Sequence, residues 1–160
     1  MDFPIQICSI KQLYRIRAES SQPDSVAVLS SASPVDIARL GNIRYVFRQY
    51  EDLDYPQPGR SFSREDAESF SHFIRNLTGY RTLYCCCDAG ESRSPAVAAA
   101  VMRYWSADDM LIWRNPKYHP NMLVFDLLTD ALGIPVTDDE KDFRLYENQK
   151  AFRDAVRKTR

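Results

Sequence analysis

The chain has 160 residues and a mass of 18.5 kDa, of which 44% are hydrophobic and 27% charged. One domain over residues 1–160 is expected, large enough to bury a core without disulfide or metal support, and the composition excludes disordered, collagen-like and fibrous classes. Lys plus Arg is 21 and Asp plus Glu is 22, a net charge of -1, so no nucleic-acid partner held by phosphate neutralisation is expected.

The opening Met1-Asp2-Phe3-Pro4-Ile5 lacks the basic lead and apolar core of a signal peptide. No apolar run reaches the length of a membrane span, so no membrane partner and a cytoplasmic location are expected. Pro4 to Cys8 reads as a short strand and Lys11 to Arg17 as a short helix. Residues 20–25 are turn-forming and predict a loop. Val26 to Leu29 suits a buried strand. Ser33-Pro34 opens a short helix running through Leu40 and closed by Gly41. Ile43 to Tyr50, aromatic and β-branched, predicts a third strand. Residues 52–59 form the most evident loop. Ser63 with Asp66 makes a capping-box-like start for a helix carrying Ala67, Phe70, Phe73, Ile74 and Leu77 at helical spacing and stopped by Gly79. Arg81 to Cys86 reads as a fourth strand, and Ser94-Pro95 begins an alanine-rich helix ending near Trp105. From Asp108 onward helices are expected, with loops at Asn115-Pro116 and from Gly133 to Asp139. Repeated strand–helix units followed by helices predict an α/β fold, a central, mainly parallel sheet of four or five strands with helices on both faces.

The cysteines are Cys8, Cys85, Cys86 and Cys87. Neighbours on a strand point to opposite faces, so three in a row make a poor disulfide framework. There is no CxxC pair, and His72 and His119 have no metal-ligand spacing, so no metal and no cofactor are expected. Reduced thiols are the simplest reading. His72 fits a helix surface. His119-Pro120-Asn121 fits a cap and staple before the apolar helix of Met122, Phe125, Leu128 and Leu132, with a water-positioning role as the alternative. The basic residues Arg153, Arg157, Lys158 and Arg160 fit one solvated face of a terminal helix.

Ligands of such sheets bind beyond the carboxyl ends of the strands. The segment leaving the fourth strand is Cys87-Asp88-Ala89-Gly90-Glu91-Ser92-Arg93-Ser94. Successive backbone N–H groups of a tight strand-to-helix turn can converge on one anion, and the helix dipole adds positive potential there. Gly90 permits the curl. Arg93 can hold two phosphate oxygens side by side. The same field favours a thiolate at Cys87.

This Cys-x5-Arg-Ser run between strand and helix resembles the signature of the cysteine-dependent protein tyrosine and dual-specificity phosphatases. The resemblance is sharpest over residues 81–105, extends more loosely from 43 to 132, and is closest to compact, single-domain bacterial members. It implies a phosphatase-like three-layer α/β/α domain. It also implies that Cys87 attacks phosphorus and forms a phosphocysteine intermediate. Arg93 and the loop residues Asp88, Ala89, Gly90, Glu91 and Ser92 would hold the transferring oxygens. Ser94 resembles the hydroxyl that bonds the cysteine sulfur and helps it leave. The family's general acid lies a few tens of residues upstream, where Asp52-Leu53-Asp54-Tyr55-Pro56 resembles an Asp-Ile-Asp-x-Pro loop. Asp52 is the better match and Asp54 the alternative. Both also suit a plain turn. The implied partner is a phosphorylated protein side chain or a small phosphate monoester.

The sequence departs from the family at Cys86, where the usual residue is His. The weaker donor puts the thiolate and the rate at issue, but not the binding site. Cys85 and Cys86 otherwise read as small core hydrophobes, and a Cys86–Cys87 bridge would be strained. Asp88 and Glu91 are expected to point outward and to disfavour polyanionic ligands, unless Arg48, Arg60 or Arg64 offsets them. Tyr55, Phe62 and Tyr118 are candidates to wall an aromatic pocket, with plain packing as the equal alternative. The alternative function is a catalytically weak phosphate-binding module, a pseudophosphatase.

Overall fold

A computed structural model describes residues 4–20 and 22–160. Met1 to Phe3 and Ser21 lie outside the described residues, and with them most of the opening segment and one residue of the expected 20–25 loop. Among the described residues the chain forms one parallel sheet of four strands with seven helices. In order these are β1 (Ile5–Ser9), α1 (Ile10–Glu19), β2 (Ser25–Ser31), α2 (Ile37–Leu40), β3 (Arg44–Gln49), α3 (Arg64–Arg75), β4 (Thr82–Cys87), α4 (Arg93–Tyr104), α5 (Met110–Trp113), α6 (Met122–Ala131) and α7 (Asp138–Lys158). The spatial order is β1-β4-β2-β3. β1 is therefore an edge strand, although it comes first in sequence.

Alternation along the central strands divides the interior in two. Val26, Val28, Leu83 and Cys85 face the larger core with Phe70 of α3, Val97 of α4, Ile112 of α5 and Phe125 of α6. Ala27, Leu29, Tyr84 and Cys86 face a smaller core built by Ile10, Leu13 and Tyr14 of α1 and Leu40 of α2. Both faces of the sheet are covered, which explains why β2 and β4 read as unbroken apolar runs rather than alternating ones. Four strands close the four-or-five expectation at its lower bound.

Local chemistry sets the element ends. Ser9 and Gln12 form a capping box that starts α1 at Ile10, and Ser63 and Asp66 do the same for α3. α2 is shorter than Ser33-Pro34 suggested and begins only after Asp36. α3 ends at Asn76 rather than at Gly79: three carbonyls of its last turn, from His72, Phe73 and Ile74, accept the Asn76 N–H. α7 is a helix of 21 residues with a complete capping box at Thr137 and Glu140. It is fastened by Arg144, whose Nε and Nη2 donate to the two oxygens of buried Asp109 at 2.8 and 2.9 Å. Trp113 Nε1 donates to the same carboxylate at 2.9 Å. No helix among the described residues is long and apolar enough to cross a membrane.

Candidate active site

All four strands run parallel, so their carboxyl ends share one rim. β4 ends at Cys87 and α4 begins at Arg93, and the turn between them holds the sequence singled out above. Cys87 is buried at 2% exposure. Its Sγ accepts the backbone N–H of Gly90 at 3.2 Å and lies 3.1 Å from Ser94 Oγ. The loop thus curls back over its own first residue. Gly90 makes the curl possible in two ways. Its φ is +74°, and an added Cβ would lie 2.8 Å from the carbonyl carbon of Cys8 and 2.9 Å from Ser9 N. The loop rests directly on the end of β1.

Arg93 is buried at 6% exposure. Nη1 donates to the carbonyl of Tyr50 at the end of β3 (2.9 Å), and Nη2 donates to Asp88 Oδ2 (2.7 Å). Its Nε is buried and has no hydrogen-bond partner among the described residues. A buried, unpaired guanidinium donor is costly. Nη2 also carries a second hydrogen. The Nε–Nη2 edge is therefore fixed in place with donors to spare, as side-by-side binding of two oxygens requires.

Asp88 is exposed, as expected, but its carboxylate is not free. Besides Arg93, it accepts from Ser31 Oγ at 2.6 Å and from the Ala32 N–H at 3.3 Å. Burial works to raise its pKa, but the bonds from Ser31, Arg93 and Ala32 and the guanidinium charge outweigh it and hold the carboxyl below its ordinary value. Its charge orients Arg93. Glu91 is exposed as expected. Two of the proposed compensating cations are otherwise engaged: Arg48 is 2.6 Å from Asp66, and Arg60 is 2.6 Å from Glu51.

The 52–59 loop reaches the same rim. Asp52 is exposed, and its Oδ1 accepts from Ser92 Oγ at 2.9 Å and from Asn121 Nδ2 at 2.8 Å. Both donors converge on one oxygen, and no hydrogen bond among the described residues reaches Oδ2. Asp54 is exposed and has no such tether to the loop. Asn121 is the residue that sequence reasoning undervalued. Its Oδ1 caps α6 through Val124 N at 3.1 Å, as a cap was expected to do. Its Nδ2 also holds Asp52 and the Leu53 carbonyl (3.0 Å), and its backbone N–H donates to Ser92 O at 3.1 Å. Beside it His119 N donates to Glu91 O at 2.8 Å. The segment before α6 therefore buttresses both loops, and the only sequence signal was its capping position.

Cys86, the position at which the sequence departs from the pattern it resembles, is fully buried. Its side chain enters the smaller core, with Sγ 3.2 Å from Cys8 Sγ. Cys85 enters the larger core, and burial pushes its thiol pKa well up. Of the aromatic candidates, Phe62 is core, packed between Tyr50 and Phe70 with ring centroids 4.8 and 5.6 Å away. Tyr118 packs partly buried against that core, and Tyr55 is exposed. His72 is exposed on α3, and His119 meets Phe152 edge-on.

No protein-family model matches the sequence, and the curated proteins yield no match either. Solved structures do. Human DUSP28 superposes with a TM-score of 0.52 at 13% identity, covering 98% of this chain and 95% of that one. The chain therefore has the fold of a dual-specificity phosphatase domain. Tk-PTP in its active form gives a TM-score of 0.47 at 16% identity, covering 93% of both chains. The Yvh1 phosphatase domain from Chaetomium thermophilum gives 0.41 at 12% identity, covering 91% of this chain and 89% of that one.

Proposed function

We propose that this chain is a cysteine-dependent phosphatase of the protein tyrosine and dual-specificity kind, hydrolysing phosphate monoesters of protein side chains or small molecules. The observation that carries this reading is the loop itself: Cys87 Sγ beneath the Gly90 N–H and beside Ser94 Oγ, with Arg93 anchored at two points and its Nε unpaired.

In the first step the Cys87 thiolate attacks phosphorus. An S–P bond forms, and the P–O bond to the leaving group breaks. The loop amides and the Nε–Nη2 edge of Arg93 take up charge on the three equatorial oxygens. Asp52 protonates the leaving oxygen from Oδ2, since Oδ1 is already occupied by two donors. In the second step Asp52 accepts a proton from water. The resulting oxygen attacks phosphorus, and the S–P bond breaks with its electrons returning to Cys87. The Ser94 hydroxyl donates to that sulfur and stabilises it as a leaving group. No metal or organic cofactor is called for by these steps.

Asp88 is assigned a positioning role, and its pairing with Arg93 partly offsets the negative wall expected of Asp88 and Glu91. Turnover of p-nitrophenyl phosphate in the presence of a chelator, its inhibition by vanadate and its loss in Cys87→Ser test the reading. A second reading, the weak phosphate-binding module, is favoured by one observation: Cys86 stands where a loop-supporting His is usual. Phosphate binding without turnover would decide for it.

A further inference from the structure

Cys8 and Cys86 are outside the chemistry assigned above, and they touch. They are register partners on the adjacent parallel strands β1 and β4, with sulfurs 3.2 Å apart. Cys86 is fully buried, and Cys8 is only partly so. The two thiols are chemically unequal. The hydrogen bond shared with Cys86 lowers the Cys8 pKa, burial opposes this, and the Lys117 charge assists it. Burial, then the Cys8 partner, pushes the Cys86 pKa well up. The partly exposed Cys8, whose pKa is lowered, thus lies in contact with a second thiol, the placement of a sensor cysteine beside a resolving one.

We propose that Cys8 and Cys86 are a peroxide-sensitive dithiol whose reversible disulfide shifts the end of β1 and weakens the grip of the 87–93 loop on phosphate. The Cys8 thiolate attacks a hydroperoxide oxygen, the O–O bond breaks, and Cys8 becomes a sulfenic acid with release of hydroxide or alkoxide. The Cys86 sulfur then attacks Cys8 Sγ. An S–S bond forms, and the sulfenic oxygen leaves as water with the Cys86 proton. Two thiols are oxidised by two electrons, and one peroxide is reduced.

The coupling to the site is steric. A disulfide needs the sulfurs at about 2.05 Å, so they must draw closer than the present 3.2 Å. Cys86 sits in a strand flanked on both sides, whereas Cys8 sits in the edge strand, so β1 is the element free to move. Its Cys8–Ser9 backbone is the surface on which Gly90 rests without room for a methyl group. Gly90 in turn donates to Cys87 Sγ. A shift of that backbone toward the loop would press on Gly90 and through it on the contact with Cys87 Sγ.

The effect on phosphate rests on the proposed function, whereas the bridge does not. The test uses the full chain carrying Cys87→Ser, which removes oxidation of the nucleophile, with hydrogen peroxide as the oxidant and inorganic phosphate as the ligand. Thiol alkylation and peptide mapping should find a Cys8–Cys86 cross-linked peptide lighter by two hydrogens, absent when Cys8→Ser is added and reversed by dithiothreitol. Phosphate affinity should fall about tenfold or more on oxidation, as an ångström-scale misplacement of binding groups implies. Both thiols remaining alkylatable after peroxide would overturn the proposal, as would a bridge that leaves phosphate affinity unchanged. A bridge in a protein that binds no phosphate even when reduced would support the dithiol and count against the phosphatase reading instead.

Discussion

Replacement of Gly90 by alanine separates two physical costs at the centre of the site. The first is conformational: a side chain at φ +74° occupies the left-handed region at about 1–2 kcal/mol. The second is steric. The new Cβ would stand 2.8 Å from the Cys8 carbonyl carbon, against about 3.5–4.0 Å for carbon atoms in contact. Backbone lies on both sides of that contact, so no side chain can swing aside, and the strain adds roughly 1–3 kcal/mol. The sum is about 2–5 kcal/mol. Gly79 supplies the reference. Its φ is +70°, and nothing lies within 4 Å of an added Cβ, so Gly79→Ala should cost only about 1–2 kcal/mol. Urea unfolding of the two variants reads the difference. Turnover reads the displacement, and Gly90→Ala should lose about a hundredfold in kcat/KM while Gly79→Ala stays near wild type. Equal unfolding midpoints for the two variants, or full turnover in Gly90→Ala, would refute the claim that the loop is seated on β1.

Further tests address the acid, the guanidinium and the terminal helix. Asp52→Ala should slow substrates with poor leaving groups far more than p-nitrophenyl phosphate, and more than Asp54→Ala does; the reverse ranking would transfer the role to Asp54. Asn121→Ala should lower stability by about 1 kcal/mol through loss of the α6 cap, and it should lower kcat more than it raises KM; an unchanged kcat would show that Asp52 needs no help from Asn121. Asp88 has a depressed pKa, so its stabilisation is complete above the unfolded-state value and is lost as pH falls through the lower folded-state value. Asp88→Asn should therefore flatten the acid limb of the stability profile below about pH 4, and an identical profile would mean that Asp88 holds nothing. Asp109→Ala leaves buried Arg144 without its carboxylate and should cost about 3–5 kcal/mol, measured by denaturant unfolding.

The loop was legible in the sequence because its parts are contiguous. Strand, cysteine, glycine, arginine and helix start lie within one run, and the physics of anion binding at a helix N-terminus needs nothing from afar. The strands were legible for a related reason: burial on both faces leaves uninterrupted apolar runs at Val26–Leu29 and Leu83–Cys86. What escaped depends on which distant segments share the rim. The bonds of exposed Asp88 are hidden in the chain, because Ser31 lies on another strand and Arg93 has to turn back toward it. Asn121 looked like a cap and is one, but its second hand reaches Asp52 across the site. Phe62 follows a loop rich in Pro and Gly, which leaves pocket wall and packing equally open in the sequence; it plugs the core beneath Tyr50. Cys8 and Cys86 meet only because the first strand lies beside the fourth, an order that the chain sequence does not spell out.

The sulfur of residue 87 as the phosphoryl acceptor is tested most directly by acid-quenching the full chain during turnover of a phosphate monoester and mapping the modified peptide by mass. A phosphoryl group on Cys87, absent in Cys87→Ser and accumulating further in Asp52→Ala with an activated substrate, is the expected result. Turnover that continues in Cys87→Ser, or a phosphoryl group trapped on any other residue, would contradict it.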